Sequence, residues 1–373
     1  MKIVRVEAFP LGIRLEEPLR WGAMVVHSKG GIVVEVETDE GLVGLGEAGF
    51  SAEYFPTVGP IINQQLAPLL IGRDPLDLAG LWELMYRATH LWGRRGVETY
   101  AISGIDIALW DLLGKVTDQP LHRLLGSAKQ EVRAYYAPSL KSPERMVPEA
   151  RRAVEAGFTA IKLRVGLGVE VDQRIVADVR AAVGPAIDLM VDANMAYDRR
   201  TALRMAAQFE DLGVSWLEEP IRTNSLTQYI DEHTWLAERV GIRLAGGESL
   251  LTRFEYLDAL TRHTFDVLQP DCTTVGGISE AKRVADMASG WNIECVPHIG
   301  CSSGTGIGLA AGLHLILACT NSPLVEYDAY GGPGWDGLLQ EPITAVGGVV
   351  NAPTGPGLGV ALAPDARDRF ALG

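Results

Sequence analysis

The 373-residue sequence has no run of 18 or more apolar residues, so no transmembrane helix is expected. Its opening stretch, MKIVRVEAFPLGIRLEEPLRW, scatters charges and lacks a long apolar core, which speaks against a secretory signal. Cysteine is scarce. The four present, Cys272, Cys295, Cys301 and Cys319, form no CxxC pair and read as free thiols in a reducing cytoplasm. Positive charge is also short, with 33 Lys and Arg against 47 Asp and Glu and a net charge of −14. Phosphate binding needs a basic surface, so nucleic acid is excluded as a partner. The same deficit argues against anionic membrane surfaces. Internal repeats and low-complexity segments are missing as well.

What the sequence does contain, from about Val132 to Asp328, is one unit used again and again. A short apolar strand ends in a polar or acidic residue and is followed by an amphipathic helix. The strand segments are VRAYYAPSL (132–140), AIKLRV (160–165), DLMVDAN (188–194), SWLEEP (215–220), IRLAGGES (242–249), FDVLQPD (265–271), NIECVPH (292–298) and LVEYD (324–328). Strands alternating with helices argue for a parallel sheet with crossover helices, and eight strands close a barrel. A bare barrel needs roughly 250 residues, so further structure is expected in front and behind. Residues 1–125 begin with alternating, β-branched segments around a DEG turn, which read as a small antiparallel sheet. Helical periodicity follows from Phe55 to Lys115. The fold class is therefore α/β: an α+β capping domain over 1–125, a barrel over 126–330, and a Gly/Pro-rich segment over 331–373 that packs back toward the cap. Gly-bearing loops at Trp21–Lys29 and Gly49–Phe55 are expected to act as a lid.

Barrel active sites lie at the C-terminal ends of the strands. Here those ends carry Arg164, Asp192, Glu218, Glu248, Asp271, His298 and Glu326. Asp192, Glu218 and Glu248 end three consecutive strands. Neighbouring strands are about 4.8 Å apart, so three carboxylates share a small volume and repel unless a cation joins them. Hard oxygen donors suit Mg²⁺. The alternative, that each is a helix N-cap, weakens when three fall on successive strands. Asn194 shares a face with Asp192 by period two and is a supporting residue. Asp271 beside His298 fixes an imidazole tautomer and makes a general base suited to neutral pH. Lys162 and Arg164 share a face of the second strand; each is read either as a catalytic group or as an ion-pair partner of the carboxylates. Arg164 does not deprotonate in practice. Glu326 is expected to donate a hydrogen bond or a proton if neighbouring carboxylates raise its pKa, or else to form a salt bridge. Trp21 and His27 are the lid residues expected near substrate.

Taken in order, SGIDIALWD, AIKLR, VDAN, WLEEP, GGES, LQPD with GGISE, VPH and VEYD resemble the mandelate racemase subgroup of the enolase superfamily, the mandelate racemase/muconate lactonizing enzyme family. The resemblance spans nearly the whole chain. It implies a capping domain on a modified TIM barrel, (β/α)7β, Mg²⁺ on Asp192, Glu218 and Glu248, a His298–Asp271 dyad, and a substrate-carboxylate hydrogen bond from Glu326. The subgroup often has Lys-x-Lys on the second strand, where this chain has Lys162-Leu163-Arg164. That departure favours one-base chemistry over racemisation. The expected reaction is Mg²⁺-dependent removal of the proton α to a carboxylate through an enediolate, giving dehydration of a sugar acid to a 2-keto-3-deoxy acid. The alternatives are a sugar-acid lactone cycloisomerase, then a racemase or epimerase of a 2-hydroxy acid; a non-catalytic binding protein on the same fold is the reading from another class. A small-molecule carboxylate partner, a cytoplasmic location and a homo-oligomer are expected.

Overall fold

The computed structural model describes residues 1–21, 24–49, 51–126, 129–299, 305–328 and 337–372; for residues 16–17, 19–21 and 24 only the backbone is described. The chain opens with β1 (Ile3–Trp21), β2 (Met24–Thr38) and β3 (Val43–Ala48), an antiparallel sheet in the order β1-β2-β3. The expected loop at Trp21–Lys29 is instead mostly strand. Met24, Val25 and Val26 pair with Trp21, Arg20 and Leu19, and Lys29 pairs with Ile13. The β-branched pair Val25–Val26 extends the hairpin, and Gly30 and Gly31 are paired within the ladder.

Helix Val97–Thr117 covers the sheet, and helix Leu78–Thr89 packs against that helix. Helix Val97–Thr117 is apolar on nearly every side because it is buried on both faces. Ile102, Ile105, Ala108 and Leu112 pack into the core of the cap, while Ile107 belongs to the barrel core. It approaches β3 very closely: a Cβ on Gly46 would lie 1.9 Å from the Gly104 carbonyl oxygen. The glycines of VGLGEA make that contact possible.

The barrel strands are β4 (Glu131–Ala137), β5 (Ala160–Arg164), β6 (Asp188–Asp192), β7 (Val214–Glu218), β8 (Arg243–Gly246), β9 (Val267–Leu268), β10 (Glu294–Cys295) and β11 (Leu324–Asp328). Seven helices alternate with them, from Pro143–Glu155 to Ile307–Leu317. All neighbouring barrel strands pair in parallel from β10 through β4 to β11. The eighth seam, between β10 and β11, carries no ladder among the described residues. It is bridged by Cys295 N–H donating to the Asn321 carbonyl (2.9 Å) and Ile299 N–H donating to Glu326 Oε2 (3.1 Å). This is the expected capping domain followed by an eight-stranded (β/α)7β unit.

The last segment touches both parts. β12 (Ala345–Val346) and β13 (Val349–Asn351) form a small hairpin, and β13 pairs antiparallel with β4. Further on, Gly12 N–H donates to the Phe370 carbonyl (2.8 Å). No helix among the described residues is long and apolar enough to cross a membrane.

Candidate active site

Period two builds the barrel interior. Tyr135, Ala137, Ala160, Met190, Trp216, Ala245, Val267, Val296 and Leu324 form one buried cluster, separate from the layer between strands and helices. Two residues beyond members of that cluster stand Lys162, Asp192, Glu218, Gln269, His298 and Glu326, and four beyond stand Arg164 and Asp271. Alternation therefore directs all eight inward, and all eight are buried. Arg164, Asp192 and Glu218 are Cα partners in one row across β5, β6 and β7. Glu248 escapes the alternation. It follows Gly247, whose φ of 110° turns the chain as no side-chain-bearing residue readily does, and its side chain remains 25% exposed.

Lys162 is a fully buried cation of the site. Its Nζ lies 2.8 Å from Glu218 Oε1, 2.9 Å from Glu326 Oε1 and 4.0 Å from Asp192 Oδ2. Burial pulls its pKa down, but Glu218 and Glu326 outweigh burial and hold it well above the usual value. Of the two readings open for Lys162, this geometry is that of the ion pair. Glu218 Oε2 also accepts from Gln269 Nε2 (2.8 Å) and Trp216 Nε1 (3.2 Å). Asp192 Oδ1 accepts from Asn194 N–H (2.9 Å), and Asn194 Oδ1 accepts from Arg164 Nη1 (3.2 Å). The expected support from Asn194 thus runs in both directions. Asn194, Met195 and Glu219 all adopt positive φ (41°, 58° and 37°), placing strained backbone beside the carboxylates.

Asp192 Oδ2 is buried and accepts no hydrogen bond. Burial, and then the Glu218 charge, push the Asp192 carboxyl up to about 7. Among the described residues no three His, Cys, Asp or Glu side chains enclose a cation site, since Glu218 is held by Lys162 and Glu248 by His298. The chemistry of the donor set nonetheless fits a hard divalent cation: clustered carboxylate oxygens, one of them orphaned, on adjacent strands.

His298 Nδ1 lies 2.8 Å from Asp271 Oδ2, and its Nε2 lies 3.1 Å from Glu248 Oε2. Asp271 Oδ1 is fixed by the N–H and hydroxyl of Thr273, both at 2.7 Å. Burial lowers the imidazole pKa, but Glu248 and the Asp271 hydrogen bond outweigh it and push it up to about 10. Of the two readings open for Glu326, the geometry is that of the salt bridge, with its Oε1 2.9 Å from Lys162 Nζ. Burial would raise its pKa, yet Lys162, His298 and Arg164 hold it down at about 2. Its Oε2 accepts from Ile299 N–H at 3.1 Å.

Of the two lid residues, His27 is not brought to this cluster. His27 is largely exposed, and its Nδ1 lies 3.2 Å from Glu53 Oε1. It lines a cavity of about 700 Å³ on the capping domain, with Arg14, Asn63 and Gln64. The side chain of Trp21 lies outside the described residues. Two site residues were missed in the sequence. Gln269 was signalled by its parity between Val267 and Asp271. Glu219 had no signal, because alternation turns it away from the interior; it is buried behind β7, where it accepts from Tyr229 OH at 2.5 Å.

Comparison with known proteins agrees with this arrangement. Residues 3–126 match the mandelate racemase / muconate lactonizing enzyme N-terminal domain, and residues 145–366 match the enolase C-terminal domain-like family. The chain is 35% identical to D-galactarolactone cycloisomerase from Agrobacterium fabrum, covering 100% of this chain and 99% of that one. It is 35% identical to arabinonate dehydratase from Saccharolobus solfataricus over 88% and 87% of the two chains. Among solved structures, a racemase from Streptomyces coelicolor A3(2) with bound magnesium superposes with a TM-score of 0.88 at 27% identity, over 99% and 100% of the chains. With matching domains at both ends and relatives of this identity along its whole length, the chain belongs to the mandelate racemase/muconate lactonizing enzyme family of the enolase superfamily.

Proposed function

We propose that the protein removes the α-proton of a sugar acid with His298 as its single base and dehydrates the acid to a 2-keto-3-deoxy product. The observation that carries this reading is one imidazole, oriented by Asp271 and facing a carboxylate cluster with an orphaned oxygen. Asp192, Glu218 and Glu248 would hold Mg²⁺, as the magnesium-bound racemase neighbour suggests. The ion supplies positive charge against the second negative charge that forms on a carboxylate substrate when its α-proton leaves. His298 needs its Nε2 free of a proton to act. Glu248 is the neighbour that does most to hold the proton there, and serving as a metal ligand would neutralise its charge.

In this reading Nε2 takes the α-proton, and the electron pair of that C–H bond passes into the substrate carboxylate and then forms the second bond of a C2=C3 double bond. The C3–OH bond breaks, and the proton returns from His298 to the departing hydroxyl, which leaves as water. The enol then tautomerises to the 2-keto acid. Arg164 stays protonated throughout and orients a substrate carboxylate or hydroxyl. Lys162 holds the floor of the site through Glu218 and Glu326. Three buried free thiols, Cys272, Cys295 and Cys319, support a cytoplasmic setting.

A second reading, opening of a sugar-acid lactone, is favoured by the full-length match to D-galactarolactone cycloisomerase, and it too needs one base. Offering paired C2 epimers of sugar acids, and their lactones, with Mg²⁺ in D₂O tests both. One C2 epimer should exchange and give a 2-keto product, and His298→Asn should do neither. Comparable exchange of both epimers, or exchange by His298→Asn, would reveal a second base and overturn the proposal. Lactone turnover without action on the free acids would select the second reading.

A further inference from the structure

The end of β3 touches residues that follow each member of the dyad in the chain, Thr273 beyond Asp271 and Thr305 and Gly308 beyond His298. Glu47, near the end of β3, is fully buried. Its Oε2 accepts from the Thr305 hydroxyl and from Gly308 N–H (2.7 Å). Gly308 is in the first turn of helix Ile307–Leu317, so a carboxylate of the cap neutralises the positive end of a barrel helix. Thr305 and Gly308 stand seven and ten residues beyond His298. Two residues after Glu47, Gly49 N–H donates to the Thr273 carbonyl at 2.8 Å. Thr273 is the residue whose N–H and hydroxyl fix Asp271 Oδ1.

A buried carboxylate is costly to keep. Burial pushes Glu47 up to about 7, and its Oε1 has no hydrogen-bond partner. Apolar side chains join two domains without that cost. What they do not provide is direction: two donors, the Thr305 hydroxyl and the Gly308 N–H of the following helix, are fixed on one oxygen, and two residues further along the chain a second contact holds Thr273. We infer that the end of β3 is a positioning element for the His298–Asp271 pair, with Glu47 holding the His298 side and Gly49, through Thr273, the Asp271 side. The cap then sets the geometry of the pair as well as covering it. The effect on turnover rests on His298 being the base.

The test uses the full-length, Mg²⁺-supplied protein and three variants: Glu47→Ala, Thr305→Val and Thr305→Ser. The ¹⁵N signals of the His298 side chain are assigned with His298→Asn and read at one fixed pH. Glu47→Ala and Thr305→Val should both shift those signals, and Thr305→Ser should restore them. In the same two variants kcat for α-proton exchange should fall roughly 10- to 100-fold with KM within about twofold, as expected for a base misplaced by a fraction of an ångström. If Glu47→Ala does not fold, Thr305→Val, which removes one donor and keeps the shape, carries the test. An unshifted His298 signal in folded Thr305→Val overturns the inference whatever happens to kcat. A shifted signal with unchanged turnover upholds the positioning role, and it is then the assignment of His298 as base that fails.

Discussion

Lys162 illustrates how far single residues can be read. Its place in AIKLR directs it inward, but a base and a buried counter-ion obey the same alternation. Only the distances to Glu218 and Glu326 separate the two. Removing the cation leaves those carboxylates buried and unpaired, so Lys162→Met should cost about 3–5 kcal/mol of stability, visible as a lower urea midpoint without added metal. A variant with wild-type stability but no turnover would return Lys162 to the catalytic group. Asp192→Asn should behave in the opposite way. Burial and Glu218 already disfavour charge on Asp192, so the metal-free variant should lose no stability while Mg²⁺ binding weakens. Calorimetry showing unchanged Mg²⁺ affinity would remove Asp192 from the ligand set. Glu326 shows the converse limit. Its position was legible, but its ionisation was not, because that depends on three groups contributed from elsewhere, Lys162 and Arg164 on β5 and His298 beyond β10.

The strands were the most legible elements, since a period of two needs no knowledge of partners. All eight barrel segments read from the sequence carry a strand, and the residues at their ends converge as alternation requires. Two kinds of feature escaped. The hairpin β1–β2 runs on through the stretch expected as a loop at Trp21–Lys29, where Met24, Val25, Val26, Ser28 and Lys29 pair in the ladder. The other is Gly247, which breaks the parity of β8 and re-aims Glu248. Gly247→Ala forces a Cβ onto a φ of 110° and to 3.1 Å from the Tyr256 ring. About 1–3 kcal/mol of strain is expected, with Glu248 displaced from His298. The variant should bind Mg²⁺ more weakly than its loss of stability explains. Unchanged affinity and a rigid backbone by hydrogen exchange would show that Gly247 has no part in aiming Glu248.

The joint between cap and barrel was the least legible part of the molecule. Glu47 caps one barrel helix from 261 positions away, and Asp106 accepts from Ser279 N–H and hydroxyl at the start of another, 173 positions away. A cap of that kind has no local signature, unlike the Asp198 and Ser225 caps, which lie beside their own helices. Burial pushes both Glu47 and Asp106 up to about 7, from ordinary values of 4.5 and 3.8. Between those values and 7 the folded chain holds protons that the unfolded chain has released. Stability should therefore fall as pH rises across that window and level off above it. Asp106→Asn should flatten the decline in urea midpoint between pH 5 and 7; an unaltered slope would mean Asp106 does not titrate there.

The contact of the last described residues with the first strand has a consequence for how the chain is made. β1 is the edge of its sheet, and its stretch near Pro10–Gly12 is covered by Phe370 and Leu372, while Arg367, 360 positions after Glu7, pairs with Glu7 and Glu35. On the ribosome the cap emerges before the barrel and the segment that covers β1 after it, so this edge waits, uncovered, through the synthesis of the barrel. An open edge of that kind invites pairing with other nascent chains. Deleting residues 367–373 should prolong the exposure indefinitely, lowering the soluble yield of newly made protein more than the turnover of the molecules that do fold. Equal losses in both would show that the strand end serves the finished enzyme and not its birth.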